Sequence, residues 1–226
     1  MAKTKNIWKD EDDCKLSGTI LFTSADSTSY NMNIYDSKIN VVRDYIKNYI
    51  DDYLFHDVDS IIEHVPNKHP GAAAYPILLS VLSGIELLGA LLMPSEKDYS
   101  YRQGNDYFIY YWDKYLANGQ PVYKNYGEIA RQLIRNGLAH LFTTKSKIGV
   151  VRSRNGTHLT IDKEGQLIID ATQFYNDFKN SYLNKAKPRL LDNAKGTELA
   201  HKRLCEISKK HNDECETEFA DFYNKQ

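Results

Sequence analysis

The chain has 226 residues, of which 42% are hydrophobic and 26% charged, and its formal net charge is −1. This is the composition of a folded globular protein long enough for one sizeable core, and it excludes wholesale disorder. It also excludes a global basic field, so any polyanion must be held by a local patch. Cysteine is sparse and odd in number (Cys14, Cys205, Cys215), which predicts no disulfide framework and a reducing, cytoplasmic setting. The first residues, MAKTKNIWKDEDD, carry no apolar run of the signal-peptide kind.

Residues 1–36 read as a polar N-terminal arm with one apolar island at Thr19 to Phe22 and a turn-like stretch from Ser24 to Ser29. Helical patterning begins near Ser37. Ile39, Val42, Ile46, Tyr49, Ile50, Tyr53 and Leu54 recur at spacings of three and four, and a short helix from Val58 to Val65 is expected to follow. Pro66, Pro70 and Gly71 interrupt the chain. The segment Ala72 to Met93 is apolar enough to pass for a membrane span, but Glu86, Ser80 and Ser83 lie inside it. A core helix from Tyr75, stopped by Pro94, is the better reading, with no membrane partner.

Asp106 to Leu116 is an aromatic helix ended by Asn118-Gly119-Gln120-Pro121. Asn125 to Phe142 is a further helix with Ile129, Leu133, Ile134, Leu138 and Leu141 on its apolar stripe. Three strands are expected at 147–152, 158–162 and 166–170, with turns at Asn155-Gly156 and Glu164-Gly165, forming a small antiparallel β-meander. Asp170 or Thr172 can cap the next helix, with Phe174, Phe178 and Tyr182 spaced by four and Pro188 as its end. A charged helix runs through the tail to Tyr223. The expected architecture is mainly α: an arm at 1–36, a helical bundle with the inserted meander at 37–190, and a charged C-terminal helix at 191–226.

One motif carries chemistry. In Arg135-Asn136-Gly137-Leu138-Ala139-His140, an arginine followed by a polar residue precedes a histidine by four intervening positions. An imidazole exchanges protons near neutral pH, and a guanidinium grips two phosphate oxygens while staying charged. At 100° per residue Asn136 and His140 share a helix face, whereas Arg135 and His140 are splayed by about 140°. Spacing alone is weak evidence: roughly one chance match is expected in such a chain, and Arg152 to His158 is a second. The first match has the asparagine and the helical setting.

On those residues the chain resembles the HEPN ribonucleases, over about 37–142. The resemblance implies a helical bundle and metal-independent, cofactor-free cleavage of single-stranded or unpaired RNA, in a toxin or phage-defence setting. It also implies a homodimer in which two motif helices line one cleft. His140 would then be general base or acid, Arg135 would bind and neutralise the scissile phosphate, and Asn136 would orient either. Lys145, Lys147, Arg152 and Arg154 follow with no acidic residue from Thr143 to Arg154, and form a candidate RNA-binding patch or a solvated hairpin face. Glu86 in a buried helix needs a partner, for which Arg131, Arg135 and His140 are candidates. Arg131 and Glu128, one and nearly two turns before Arg135, are candidates to support the site residues from behind, or else form a surface ion pair. The alternative function is a non-catalytic helical interaction or RNA-binding module. His201, Cys205, His211 and Cys215 form two His-x-x-x-Cys pairs, but positions 201 and 211 of one helix point about 80° apart, so no metal site is expected.

Overall fold

Val42, Ile46 and Ile50 are all buried. They recur every four residues along a helical rod built from α1 (Lys38–Tyr45), a π-helical stretch (Ile46–Phe55) and α2 (His56–His64). The two expected helices therefore join without a break. The computed structural model describes residues 37–67, 73–94, 98–135, 147–152 and 156–223, with backbone alone for 133–135 and for several positions in 212–223. The expected arm at 1–36 lies outside the described residues.

The apolar segment forms α3 (Ala74–Leu92), with Met93 extended before Pro94. Ile77, Leu78, Val81, Leu82, Ile85, Leu88 and Leu91 have no exposed surface. They are covered by α4 (Gly104–Tyr111), α6 (Ala171–Ser181) and α8 (Ala194–Tyr223). The helix is long and apolar enough to cross a membrane by length and composition, and most of it is buried within the protein. A π-helical stretch, Trp112–Ala117, prolongs α4 to the expected end before Gly119, whose φ of 120° suits glycine.

The strands β1 (Ile148–Val151), β2 (Thr160–Ile161) and β3 (Leu167–Asp170) fall where expected, but they are not a meander. The order is β1-β3-β2, with β1 parallel to β3 and β2 antiparallel to it. The β2–β3 hairpin closes as the sequence indicates: Asp162 Oδ1 accepts from the amides of Glu164 and Gln166, and Gly165 takes φ 73°. β1 and β2 do not pair directly, and the Arg152 side chain that follows β1 is buried against the end of α2. The parallel pair is instead reached by a crossover containing β2, as parallel pairing requires.

Asp170 ends β3 and caps α6 (Ala171–Ser181), its carboxylate accepting from Thr172 N at 2.9 Å and Gln173 N at 3.1 Å. Phe174, Phe178 and Tyr182 are buried as their spacing predicts. Pro188 does not end this helix. A π-helical stretch (Tyr182–Ala186) leads directly into α7 (Lys187–Leu191), which carries the proline in its first turn. A proline clashes with the carbonyl four residues back in regular α geometry, and the wider turn just before it relieves that clash.

Two matching polar triads tie this helix to the rod. Tyr182 Oη and Lys187 Nζ donate to the two oxygens of Asp51 at 2.8 and 2.7 Å. Tyr175 Oη and Lys179 Nζ do the same to Asp59 at 2.7 and 2.6 Å. Burial, then the adjacent carboxylate, pushes both phenols up so that they remain donors.

The charged helix α8 buries its N-terminal half against α1 and α3, with Ala200, Arg203 and Leu204 in the interior. Arg203 Nη1 donates to Glu206 Oε2 at 2.7 Å, and the same oxygen accepts from Tyr99 N at 2.7 Å. Cys205 is disulfide-bonded, whereas the sparse, odd cysteine count predicts no disulfide framework and a reducing setting.

Candidate functional site

The motif helix starts at α5 (Gly127–Ile129) and continues as a π-helical stretch, Ala130–Arg135. Gly127 packs closely on the indole: a Cβ there would lie 3.0 Å from Cδ1 of Trp112, a tight contact. Trp112 is itself fixed by its Nε1 donating to Tyr123 O at 2.9 Å. Tyr126, Ile129 and Ala130 pack over Trp112, His158 and Phe174, so an aromatic wall sets the direction of the helix that leads into the motif.

The opposite face of α5 borders a groove of about 510 Å³ shared with Asn105, Asp106, Ile109 and Tyr110. Glu128 and Arg131 lie on that side. Arg131 donates to Glu128 Oε2 through Nε at 3.0 Å and Nη2 at 2.7 Å, and Gln132 adds a third donor at 3.2 Å. The hydrogen bonds from Arg131 hold the Glu128 carboxyl below the usual range. Of the two readings of this pair, the ion pair is the one the geometry displays. The described part of the groove thus offers two carboxylates and one guanidinium already engaged.

Arg135 closes the described part of this helix, and its side chain, with Asn136, His140, Lys145 and Arg154, lies outside the described residues. Lys147 is exposed, with φ 66°, and its carbonyl accepts from Leu167 N at 2.8 Å. Arg152 is placed elsewhere than expected. It is only 6% exposed, and its guanidinium donates to the carbonyls of Val65 at 2.7 Å and of Ile62 and Ile61 at the end of α2. Asn67 Nδ2 returns a bond to Arg152 O at 2.8 Å. The last carbonyls of a helix need donors, and here a buried cation supplies them. It is a helix cap and not part of an RNA surface.

Glu86 borders a cleft with Tyr45, Tyr99, Tyr107 and His211, while Arg131 lines the groove at α5. The other two candidate partners of Glu86, the Arg135 side chain and His140, lie outside the described residues. In the tail, His201 and Cys205 approach to 3.9 Å and His211 stacks on Tyr101 instead. Among the described residues no group of three or more potential ligands gathers.

Sequence reasoning missed one polar network. His158, the second half of the discounted match, sits between Tyr123 and Phe174. Its Nδ1 accepts from Asp170 N at 3.2 Å, which assigns the proton to Nε2. Nε2 then donates to Tyr123 Oη at 2.9 Å, and Tyr123 donates to Asp177 Oδ2 at 2.8 Å. Gln173 Nε2 donates to Asp177 Oδ1 at 3.0 Å. The chain links the hairpin to α6. No local pattern signals it, because its members lie up to 54 positions apart.

Burial lowers the His158 pKa, against the opposing pull of Asp177 and Asp170. A histidine lowered in the folded state contributes stability that is full above its unfolded value of about 6.5 and is lost as pH falls through the folded value. The stability difference between the wild type and His158→Gln in urea titrations should therefore shrink from pH 7.5 to pH 5. A difference that stays constant over this range would remove the proposed linkage.

Comparisons with protein-family models, with curated proteins and with solved structures returned no match to this chain.

Proposed function

We propose that the protein is a metal-independent endoribonuclease of HEPN type, acting on single-stranded or unpaired RNA in the cytoplasm, in a toxin or phage-defence role. The observation that carries this reading is the sequence motif Arg135-Asn136-x-x-x-His140, whose Arg135 ends a described helical stretch of a mainly α chain. Arg135 binds and neutralises the scissile phosphate. His140 moves the proton, and Asn136 orients the imidazole or the phosphate. The basic residues Lys145, Lys147 and Arg154 extend the contact along the strand, and Arg152 is withdrawn from that set by its burial.

The attacking group is the substrate's own 2′-hydroxyl, so no metal-activated water is needed. The test is incubation with an unpaired RNA in EDTA, followed by analysis of the ends. Cleavage should leave a 2′,3′-cyclic phosphate and a 5′-hydroxyl, and a DNA strand of the same sequence should survive. Cleavage that requires added metal, or that cuts DNA equally, would reject the assignment in favour of another chemistry.

A non-catalytic interaction or RNA-binding module is the second reading. It is favoured by the closed Glu128–Arg131 pair and by Asp106 in the adjoining groove, which offer no ready phosphate cradle.

A single helix splays Arg135 and His140 by about 140°, so a complete site calls for two copies. The protein should sediment as a two-fold dimer at micromolar concentration, and a crosslink placed between paired motif helices should form in solution. A monomer at that concentration would leave the splayed geometry without a remedy.

A further inference from the structure

We propose that the groove between α4 and α5 is a base pocket that selects guanine in the RNA strand, next to the scissile phosphate. The proposal rests on the nuclease reading, because it takes Arg135 as the group that holds the phosphate. The groove measures about 510 Å³, ample for a nucleobase with its ribose, and is lined by Asn105, Asp106, Ile109, Tyr110, Glu128 and Arg131. The backbone of Arg135 lies one turn beyond Arg131 in the same helical stretch, ~5 Å along the axis. A base in the groove and a phosphate at Arg135 can therefore belong to one nucleotide.

Two of the three charged groups on the lining satisfy each other. Arg131 donates twice to Glu128 Oε2, and Gln132 adds a third bond to the same oxygen. That pair stays as it is when the pocket fills. Asp106 is the third charge. Its carboxylate and the Asn105 amide are exposed and make no hydrogen bond or ion pair among the described residues. Both stand in the first turn of α4, whose backbone is held close to α3 where Gly89 meets Tyr107 O. Tyr110, one turn further along, is half-buried with its ring edge-on to Tyr115 at 6.1 Å, and Ile109 packs against the core. The groove thus joins an anchored aromatic and aliphatic side to one open carboxylate and one open amide.

This set suits one base above the others. Unpaired RNA bases are read on their Watson–Crick edges and stacked on aromatic side chains. The edge of guanine presents O6, N1–H and N2–H in a row. The two oxygens of Asp106 accept from N1–H and N2–H, in the two-pronged manner of an arginine–carboxylate pair, and the Asn105 amide donates to O6. Tyr110 supplies a surface for the flat face of the ring. Adenine and cytosine carry a ring-nitrogen acceptor beside the amino group, which sets lone pair against lone pair at the second carboxylate oxygen. Uracil offers a single N–H between two carbonyls. A phosphate is repelled by Asp106 and finds Arg131 already engaged. An arginine side chain of a protein partner carries the same paired donors, but the charge of Arg135 beside the groove opposes a basic partner and attracts an RNA strand.

The probes are 2′-fluoro RNA hexamers, which lack the attacking hydroxyl and so report binding alone, titrated by fluorescence anisotropy with the full-length protein. One carries a single guanosine among uridines, and the others carry adenosine, cytidine, inosine or uridine at that place. The guanosine hexamer should bind at least ~5-fold more tightly than those with adenosine, cytidine or uridine, the low end of what one two-pronged base contact contributes. Inosine lacks the N2 amino group and should fall between. Asp106→Asn, a change of the same shape at an exposed position, should bring all the hexamers within twofold of one another. Equal binding of all bases, a preference unchanged in Asp106→Asn, or no RNA binding would each overturn the proposal. So would an arginine hexapeptide whose binding, unlike that of RNA, is lost in Asp106→Asn. The hexamer ranking does not depend on cleavage. A guanine preference lost in Asp106→Asn, in a protein that cuts no RNA, would uphold the pocket and reject the nuclease reading, and cleavage with no base preference would do the reverse.

Discussion

Alanine at position 140 should slow RNA cleavage by ~10²–10⁴, the usual contribution of one positioned acid–base group. No neighbouring side chain of the motif can replace it, since Asn136 and Arg135 do not exchange protons near neutral pH. Alanine at position 135 should cost ~10²–10³, the usual loss when one electrostatic contact to a developing charge is removed. Lysine at 135 should recover only part of that, because an ammonium lacks the two-pronged fit to phosphate. The single changes should not add, since the groups act on one transition state. Single-turnover rates on a short unpaired RNA give these values directly, and far-UV circular dichroism shows whether the variants still fold. A rate within twofold of wild type for His140→Ala would remove it from the chemistry.

Gly89→Ala should destabilise the protein by ~3 kcal/mol, at the upper end of overpacking effects. The expected sign is informative. Alanine is the better helix former by ~1 kcal/mol, so an accommodating site would be stabilised. Position 89 is not accommodating: an added Cβ would fall on the carbonyl of Tyr107, inside van der Waals contact. A side chain can swing away, but a backbone carbonyl bound within α4 cannot, so α3 and α4 would have to separate. The same change at Gly156 has open space around it and meets only the cost of φ 77°, ~1 kcal/mol. Urea titration should show a lower midpoint for Gly89→Ala with an unchanged slope. A midpoint at or above wild type would mean that the two helices are not held this closely.

What the sequence made legible is what local periodicity controls. The four-residue spacing of Val42, Ile46 and Ile50, the apolar run ended by Pro94 and the cap at Asp170 each depend on nearby residues, and each appears in the fold. The strand positions were legible for the same reason. Their order was not, because the parallel pairing of β1 with β3 is a tertiary arrangement that no local turn signal encodes. Nor was the placement of Arg152, whose acceptors lie some 87 to 91 positions away. A cation in a run of cations reads as a surface patch until its burial is known. Pro188 misled because a proline's effect depends on the helical turn before it, and the wider turn at 182–186 absorbs the ring. Glu86 was legible as a carboxylate in need of an explanation, but its neighbours come from α1, α4 and α8, which no spacing rule connects. The candidate catalytic motif was legible only as chemistry and spacing. Arg131 and Glu128 are where the helix predicts them, while the geometry of Asn136 and His140 lies outside the described residues.

The central claim is tested most directly by comparing the wild type with the Arg135→Ala/His140→Ala double variant on one unpaired RNA in EDTA. The wild type should cut it, leaving cyclic phosphate ends, and the double variant should be slowed by at least ~10²-fold while keeping its fold. Undiminished cleavage by the double variant, or a wild type that cuts only when metal is supplied, would contradict the assignment.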